Sequence, residues 1–336
     1  MQHETGQYQF FTAQSRPDLW PVLDDPDHPF NAAWPAYFEG NKTGDFYLQR
    51  LINYDYLARF QHVMVWKNCD GKETPVACGH SVPFFWPELD AVKGCSDLAS
   101  HADVLHSLPD GGFDTMISRA VEQHLIRQGL PPLSAPFTED QVRDTVIRQR
   151  SNPPNALSAL SVVVNPDHRS KGLAERVIEH MKEIAREESL HVLVVPLRPT
   201  RKADFPTTEI IDYVFWTHGQ KNKRDADSTK GFGRISTINP PFDPWIRKHV
   251  LLGGKVIKVA RNSMAVEGDM AQWEEWTGIN FKDLASGSEV VKGNWKQGQS
   301  WVEICLPGGL VPLKYYPEEE RFVYTEPNVW LYHDLK

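Results

Sequence analysis

Residues 160–174, LSVVVNPDHRSKGLA, carry an apolar run into a short basic loop and on into a helix start. A helix begun in this way leaves its first backbone N–H groups without intrahelical partners, with the positive end of the helix dipole behind them. That is the chemistry of a pyrophosphate cradle. Gly172 and Ala174 are small enough to let the backbone approach phosphate oxygens closely, and Arg169 and Lys171 add positive charge that can pair with them. Leu173, Ala174, Val177, Ile178, Met181, Ile184 and Ala185 recur at spacings of three and four, which predicts an amphipathic helix. Strands are expected on either side of it, at 160–164 and 191–196.

The length and composition of the chain agree with a soluble enzyme. Its 336 residues exceed one typical domain, and 44 acidic against 36 basic residues give a formal charge of −8. Nucleic-acid binding would leave a basic footprint, so the sign argues against it. No apolar run approaches the roughly 18 residues of a membrane span, and MQHETGQYQF has no basic segment leading into an apolar one. A cytoplasmic location without a membrane partner is the expectation. Cys69, Cys78, Cys95 and Cys305 are scattered without a CxxC pair, which points to reduced thiols and to no metal site.

Upstream, residues 1–44 are rich in proline, aspartate and aromatics and read as an ordered arm, because Trp20, Phe30, Trp34, Tyr37 and Phe38 are costly to leave in water. A helix is predicted over 46–60. Strands at 62–66 and 75–85 flank Asp70-Gly71, a strong hairpin signal. Helices follow at about 113–125 and at 139–148, the second opened by the capping box of Thr138 and Gln141. Asp243-Pro244 starts another helix that ends at Gly253, before a strand at 255–260. The last seventy residues read as a hairpin and two further strands, at 322–325 and 329–332.

Arg169, Gly172 and Ala174 fit the Arg/Gln-x-x-Gly-x-Gly/Ala pattern of the GNAT superfamily of acyl-CoA-dependent N-acyltransferases, and the strand, loop, helix, strand context resembles that family too. The resemblance implies an α/β fold (α+β, mixed sheet) elaborated by a helical insertion and extra C-terminal β structure. It implies acetyl-CoA or another acyl-CoA as co-substrate, held by Val162, Val163, Val164, Arg169, Ser170, Lys171, Gly172, Leu173 and Ala174. Arg198, Arg201 and Lys202, just past a strand end, are further candidates for its phosphates, and the basic run from Lys221 to Arg234 reads as a solvated loop or a lid. An oxyanion donor is expected from the main chain near Val163 or Val164. HVLLGG at 249–254 resembles the family's Tyr-x-x-x-Gly-Phe segment, which puts His249 where a tyrosine often protonates the departing thiolate; a packing role is the alternative. The family's usual glutamate base is missing from LSALSVVV. Glu209, Asp212, Tyr213, Glu326 and His80 remain as candidate bases, and the sequence does not choose among them.

The expected organisation is an arm and helix at 1–60, a GNAT-like core at 61–266 with a helical insertion at 87–157, and a C-terminal β extension at 267–336. The aromatic tail fits either an acceptor pocket or a homodimer interface. An amine N-acyltransferase acting by direct attack in a ternary complex is the leading expectation, with a small-molecule acceptor. An O-acyltransferase, thioesterase or decarboxylase on the same fold is one alternative, and a non-catalytic acyl-CoA-binding protein is another.

Overall fold

The computed structural model of the protein describes residues 6–23, 25, 27–92, 97–133, 152–217, 235, 240–281 and 301–335. The helix expected at 139–148 and the basic run from Lys221 to Arg234 lie outside the described residues. Among the described residues nine strands form one mixed sheet: β1 (Gly6–Thr12), β2 (Gln61–Asn68), β3 (Glu73–Phe84), β4 (Ala156–Val164), β5 (Val192–Leu197), β6 (Lys255–Val266), β7 (Val302–Ile304), β8 (Leu313–Tyr316) and β9 (Arg321–Asp334). Their order is β1-β2-β3-β4-β5-β9-β8-β7, with β6 along the other edge of β9.

The β2–β3 hairpin follows from its turn chemistry. Asn68 Oδ1 accepts from the N–H groups of Asp70 and Lys72, and Gly71 takes the positive φ of 81° that the reversal needs. β3 and β4 then pair antiparallel, with a register shift opposite His80 and Ser81 that leaves Leu160 as the extra residue of β4. β4 and β5 are parallel, and they pair only through Leu157 with Leu193 and Ser158 with Val194. Beyond these two positions the strands diverge, and the edge of β4 from Leu160 onward is open.

Each face of the sheet has its own cover. On one lies α3 (Leu173–Glu187), whose Leu173, Val177, Ile178, Met181 and Ala185 pack on Ala77, Leu157 and Leu193. The helix sits close because Gly79 of β3 has no side chain; a Cβ there would meet Met181 Cε at 2.6 Å and Val177 Cγ1 at 2.7 Å. On the other face lies α2 (Gly112–Arg127), whose Phe113, Met116, Ile117 and Val121 pack on Val82 and Phe84. The insertion therefore completes a core layer. Its N-terminus is tied to β6 by a 2.8 Å bond from Phe113 N–H to Ser263 Oγ.

Two expectations are corrected. The helix predicted at 46–60 is broken into α1 (Lys42–Leu48), a 3₁₀ turn at Leu51–Asn53 and a single helical turn at Asp55–Ala58. Asn41 caps α1 earlier than expected through Gly44 N–H, and the Arg50 guanidinium takes the Phe46 carbonyl that a continuing helix would use. The second correction concerns the C-terminal segment. Instead of two strands in an extension, β9 is one long strand that lies between β5 and β6, pairing Val192–Leu197 on one edge and Lys255–Val266 on the other. Pro327 hid this continuity, since proline cannot donate to a ladder. The sheet accommodates it by bulging β6, where Arg261, Asn262 and Ser263 span the gap between Ala260 opposite Asn328 and Met264 opposite Glu326.

Candidate functional site

The turn after β4 uses the N–H groups of Asp167, His168 and Arg169 on Asn165 and Pro166, and the donors left for a ligand are those from Ser170 to the first turn of α3. Asn165 Oδ1 accepts from Asp167 N–H and shapes a 3₁₀ turn, Ser170 takes a φ of 61°, and Gly172, at φ 73°, is the N-cap of α3 without a side chain to satisfy the helix's first N–H groups. Nothing lies within 4 Å of the Cβ position of Gly172, so space remains in front of the helix end. Arg169, Ser170 and Lys171 are exposed beside it. An open helix N-terminus with basic side chains beside it has a polarity that suits a pyrophosphate.

The open edge of β4 continues from that cradle. Asn165 N–H bonds to Val76 O, and Val163 and Ser161 stand opposite Cys78 and His80. Antiparallel alternation then turns the N–H and C=O groups of Val162 and Val164 away from β3, toward the side that β5 has left. Of the three valines predicted to line the cofactor strand, Val162 and Val164 present backbone to the opening. Val163 faces the ladder with its backbone and instead sends its side chain to the opposite sheet face, against Phe30 and Cys78.

On that face lies a cavity of about 730 Å³. Cys78, His80, Leu160, Ser161 and Val163 form its floor, Pro196, Arg198 and Asn328 one wall, and the N-terminal arm its roof, with Trp20, Trp34, Phe38, Glu39 and Asp45. Trp20 and Phe30 of the arm are thus buried over the sheet, Tyr37 is buried against Trp273 and Tyr324, and Trp34, expected to be buried, stays exposed at the cavity rim. Arm and sheet are joined at one corner by Asn41, whose Nδ2 donates to Asp114 Oδ1 at 2.9 Å, while Asp114 Oδ2 accepts from Ala265 N–H at 2.8 Å.

His80 is the predicted proton-transfer residue that the cavity receives. It stands opposite Gln61 on β2 and Ser161 on β4, and its Nδ1 lies 2.9 Å from Gln61 Oε1. Burial pushes its pKa down to about 4, which keeps the ring neutral near pH 7.

The other candidates are engaged elsewhere. Glu326 is fully buried, and its two oxygens accept from Arg198 at 2.6 and 3.0 Å and from the Tyr324 hydroxyl at 2.7 Å. A carboxylate so occupied lies behind the cavity wall and fixes Arg198, which lines it. Arg198, expected at the cofactor phosphates, is committed to Glu326 and to the Gly308 carbonyl at 2.6 Å. Lys202 is buried with its ammonium donating to the carbonyls of Leu310 and Phe205 at 2.6 and 2.8 Å, and Arg201 pairs with Asp204. Tyr213 is buried and donates to Asp243 Oδ2 at 2.8 Å, the carboxylate that also caps α4 (Pro244–Leu251). Glu209 lines a separate groove beside β6 and β8.

His249 lies on the opposite face from His80. It is 1% exposed within α4, with Nδ1 2.9 Å from Nε2 of His333 on β9 and its ring edge-on to Trp245. Its packing is that of a helix-to-sheet contact. Neither His249 nor Tyr213 lines the cavity. The residues that sequence reasoning missed are Gln61 and the polar pair Glu39 and Asp45. A polar residue opening the apolar run of β2 is the only local sign of Gln61.

These buried rings have a consequence for stability. His80 and His124 are pushed down to about 4 and His333 to about 3, and His62 and His249 lie well below their ordinary value, in every case chiefly through burial. A histidine depressed in the fold contributes its full stability above its unfolded pKa and loses it as pH falls toward the folded one. Asp114 has the opposite sign, since burial raises it to about 7 and its contribution is lost as pH rises. Glu122 is likewise raised by burial, and the five strongly depressed rings outweigh these two carboxyls. Denaturant titrations should therefore show a steep fall in unfolding free energy between about pH 6.5 and 4; a constant value across that window would refute the neutral burial of these rings.

Comparison with known proteins adds to this geometry. Residues 144–203 match the model of the acetyltransferase (GNAT) family. The chain is 31% identical over 330 residues to the arginine N-acetyltransferase avaD of Aspergillus versicolor, an alignment spanning 98% of this chain and 94% of that protein. Among solved structures it is similar to the loading GNATL domain of CurA from Lyngbya majuscula, at 12% identity, 98% coverage of both chains and a TM-score of 0.44. Arylalkylamine N-acetyltransferase 2 from Aedes aegypti is matched at 16% identity over 56% of this chain and 75% of that one, with a TM-score of 0.28.

Proposed function

Because the chain belongs to the GNAT acetyltransferase family, we propose that it transfers an acyl group from an acyl-CoA to the amine of a cationic small molecule of the arginine class, by direct attack in a ternary complex. The observation that carries this reading is the meeting of His80 with the open stretch of β4, beneath a cavity large enough for a small amine. The cradle at 169–174 and the outward backbone of Val162 and Val164 fit the donor's pyrophosphate and its amide-bearing arm. Bound there, the donor supplies an acyl carbon activated as a thioester.

The residues then divide the work. Backbone N–H groups at the opening of β4 stabilise the charge that grows on the carbonyl oxygen. As the C–N bond forms, the amine nitrogen becomes acidic and passes its proton to Nε2 of His80; the C–S bond breaks, and that proton neutralises the departing thiolate. Orientation comes from the cavity. Glu39 and Asp45 give it acidic groups, the charge of Arg198 is offset by Glu326, and Trp20, Trp34 and Phe38 offer faces on which a guanidinium stacks. The arginine substrate of the similar Aspergillus versicolor protein agrees with such a lining.

Thiol release from acetyl-CoA and longer acyl-CoAs, followed with arginine, agmatine, lysine and uncharged amines, tests the proposal. Release should require an amine and be fastest with those that carry a guanidinium. Equal release without any amine would point to thioester hydrolysis, and no release with any amine would leave a binding protein; either result overturns the assignment.

A further inference from the structure

Gln61 is fully buried on β2, directly opposite His80, and both of its amide N–H donors and its Oε1 are engaged. Its Nε2 donates to Leu57 O and to Ser81 O, both at 2.9 Å. Two carbonyl oxygens can only accept, so they fix which end of the amide is nitrogen. Oε1 is left as the group facing His80 Nδ1 at 2.9 Å, and an amide oxygen can only accept. The proton of the neutral imidazole must then sit on Nδ1, and the lone pair on Nε2. Leu57 lies in the helical turn before β2 and Ser81 in β3, so the amide is clamped by two separate elements.

We propose that Gln61 is a positioning residue that holds His80 in the Nδ1–H tautomer, so that Nε2 is the nitrogen able to take the acceptor's proton. The inference rests on the reading of His80 as the base. Without the clamp the ring can flip or exchange tautomers, and a ring protonated on Nε2 has no lone pair to offer there. The groups that share its surroundings do not supply a substitute. Cys78 and Ser161 flank it on the floor, and the charged residues of the same cavity are Glu39, Asp45 and the paired Arg198. His62 belongs to the other face, where it bonds to His180 and Ser81.

The test has two parts. In ¹⁵N-histidine spectra of the full chain, with His80 assigned by its loss in His80→Asn, Nδ1 should appear as a protonated, pyrrole-type nitrogen and Nε2 as a pyridine-type one. The reverse assignment overturns the proposal and leaves the role of His80 as base to be judged by His80→Ala. In Gln61→Met, kcat should fall about tenfold or more, with KM for the acyl-CoA unchanged within about twofold. Unaltered kcat in that variant, folded and with a cooperative melt, overturns it as well. Should Gln61→Met not fold, the wild-type spectrum alone decides.

Discussion

Replacing His80 by alanine should lower kcat about a thousandfold while the affinity for acyl-CoA stays unchanged. The magnitude follows from losing the proposed base, the one imidazole among the described residues that line the cavity; water in its place must take the proton without a fixed geometry. The affinity is preserved because the donor's groups are met by the cradle after β4 and by the strand backbone, neither of which His80 supports. The pH profile carries the sign of the argument. Burial holds the ring near 4, so kcat should fall only on the acid side as the imidazole is protonated, and this limb should vanish in the variant. Rates followed by thiol release over a range of pH would check both points, and activity within about threefold of wild type would remove His80 from the chemistry. His249 offers a contrast, since a ring packed against His333 on the far face should affect melting more than turnover.

The second large effect concerns Gly172. Gly172→Asp should weaken acyl-CoA binding by about a hundredfold or more while the protein still melts cooperatively. An aspartate at the N-cap would satisfy the very N–H groups that the pyrophosphate needs, and it would place a negative charge where two others must come. Its side chain would enter space that is empty within 4 Å, so the loss would arise from charge and competition. Gly172→Ala separates the contributions. With φ at 73° it brings backbone strain of about 1 kcal/mol but no charge, and it should lose far less affinity. Calorimetric titration with acetyl-CoA reads both variants, and an unchanged dissociation constant for Gly172→Asp would defeat the cradle.

Much of the cofactor half was legible because its signals are local. The turn residues Asp70-Gly71, the alternation of the β4 run, the three-four spacing of α3 and the Asp243-Pro244 helix start each act within a few residues, and each element stands where the pattern puts it. The cavity side was hidden because it is assembled across distance. His80 stood equal with Tyr213 and Glu326 until the fold gave Tyr213 to Asp243 and Glu326 to Arg198, partners 30 and 128 residues away. The arm was recognisable as ordered from its aromatics, yet nothing in it says that it roofs β4. Pro327 reads as a break, and only the bulge in β6, sixty-odd residues upstream, makes it compatible with a strand.

The place of β9 also sets an order of events for folding. β9 is a central strand that follows both of its neighbours in the chain, so β5 and β6 share no neighbour until residues 321–334 dock between them. Until then their facing edges expose unpaired backbone, and pairing β9 with β6 must bring together segments far apart in sequence, at a closure entropy that opposes docking. A nascent chain of this kind matures late and all at once, with its sheet edges vulnerable to strangers in the interval.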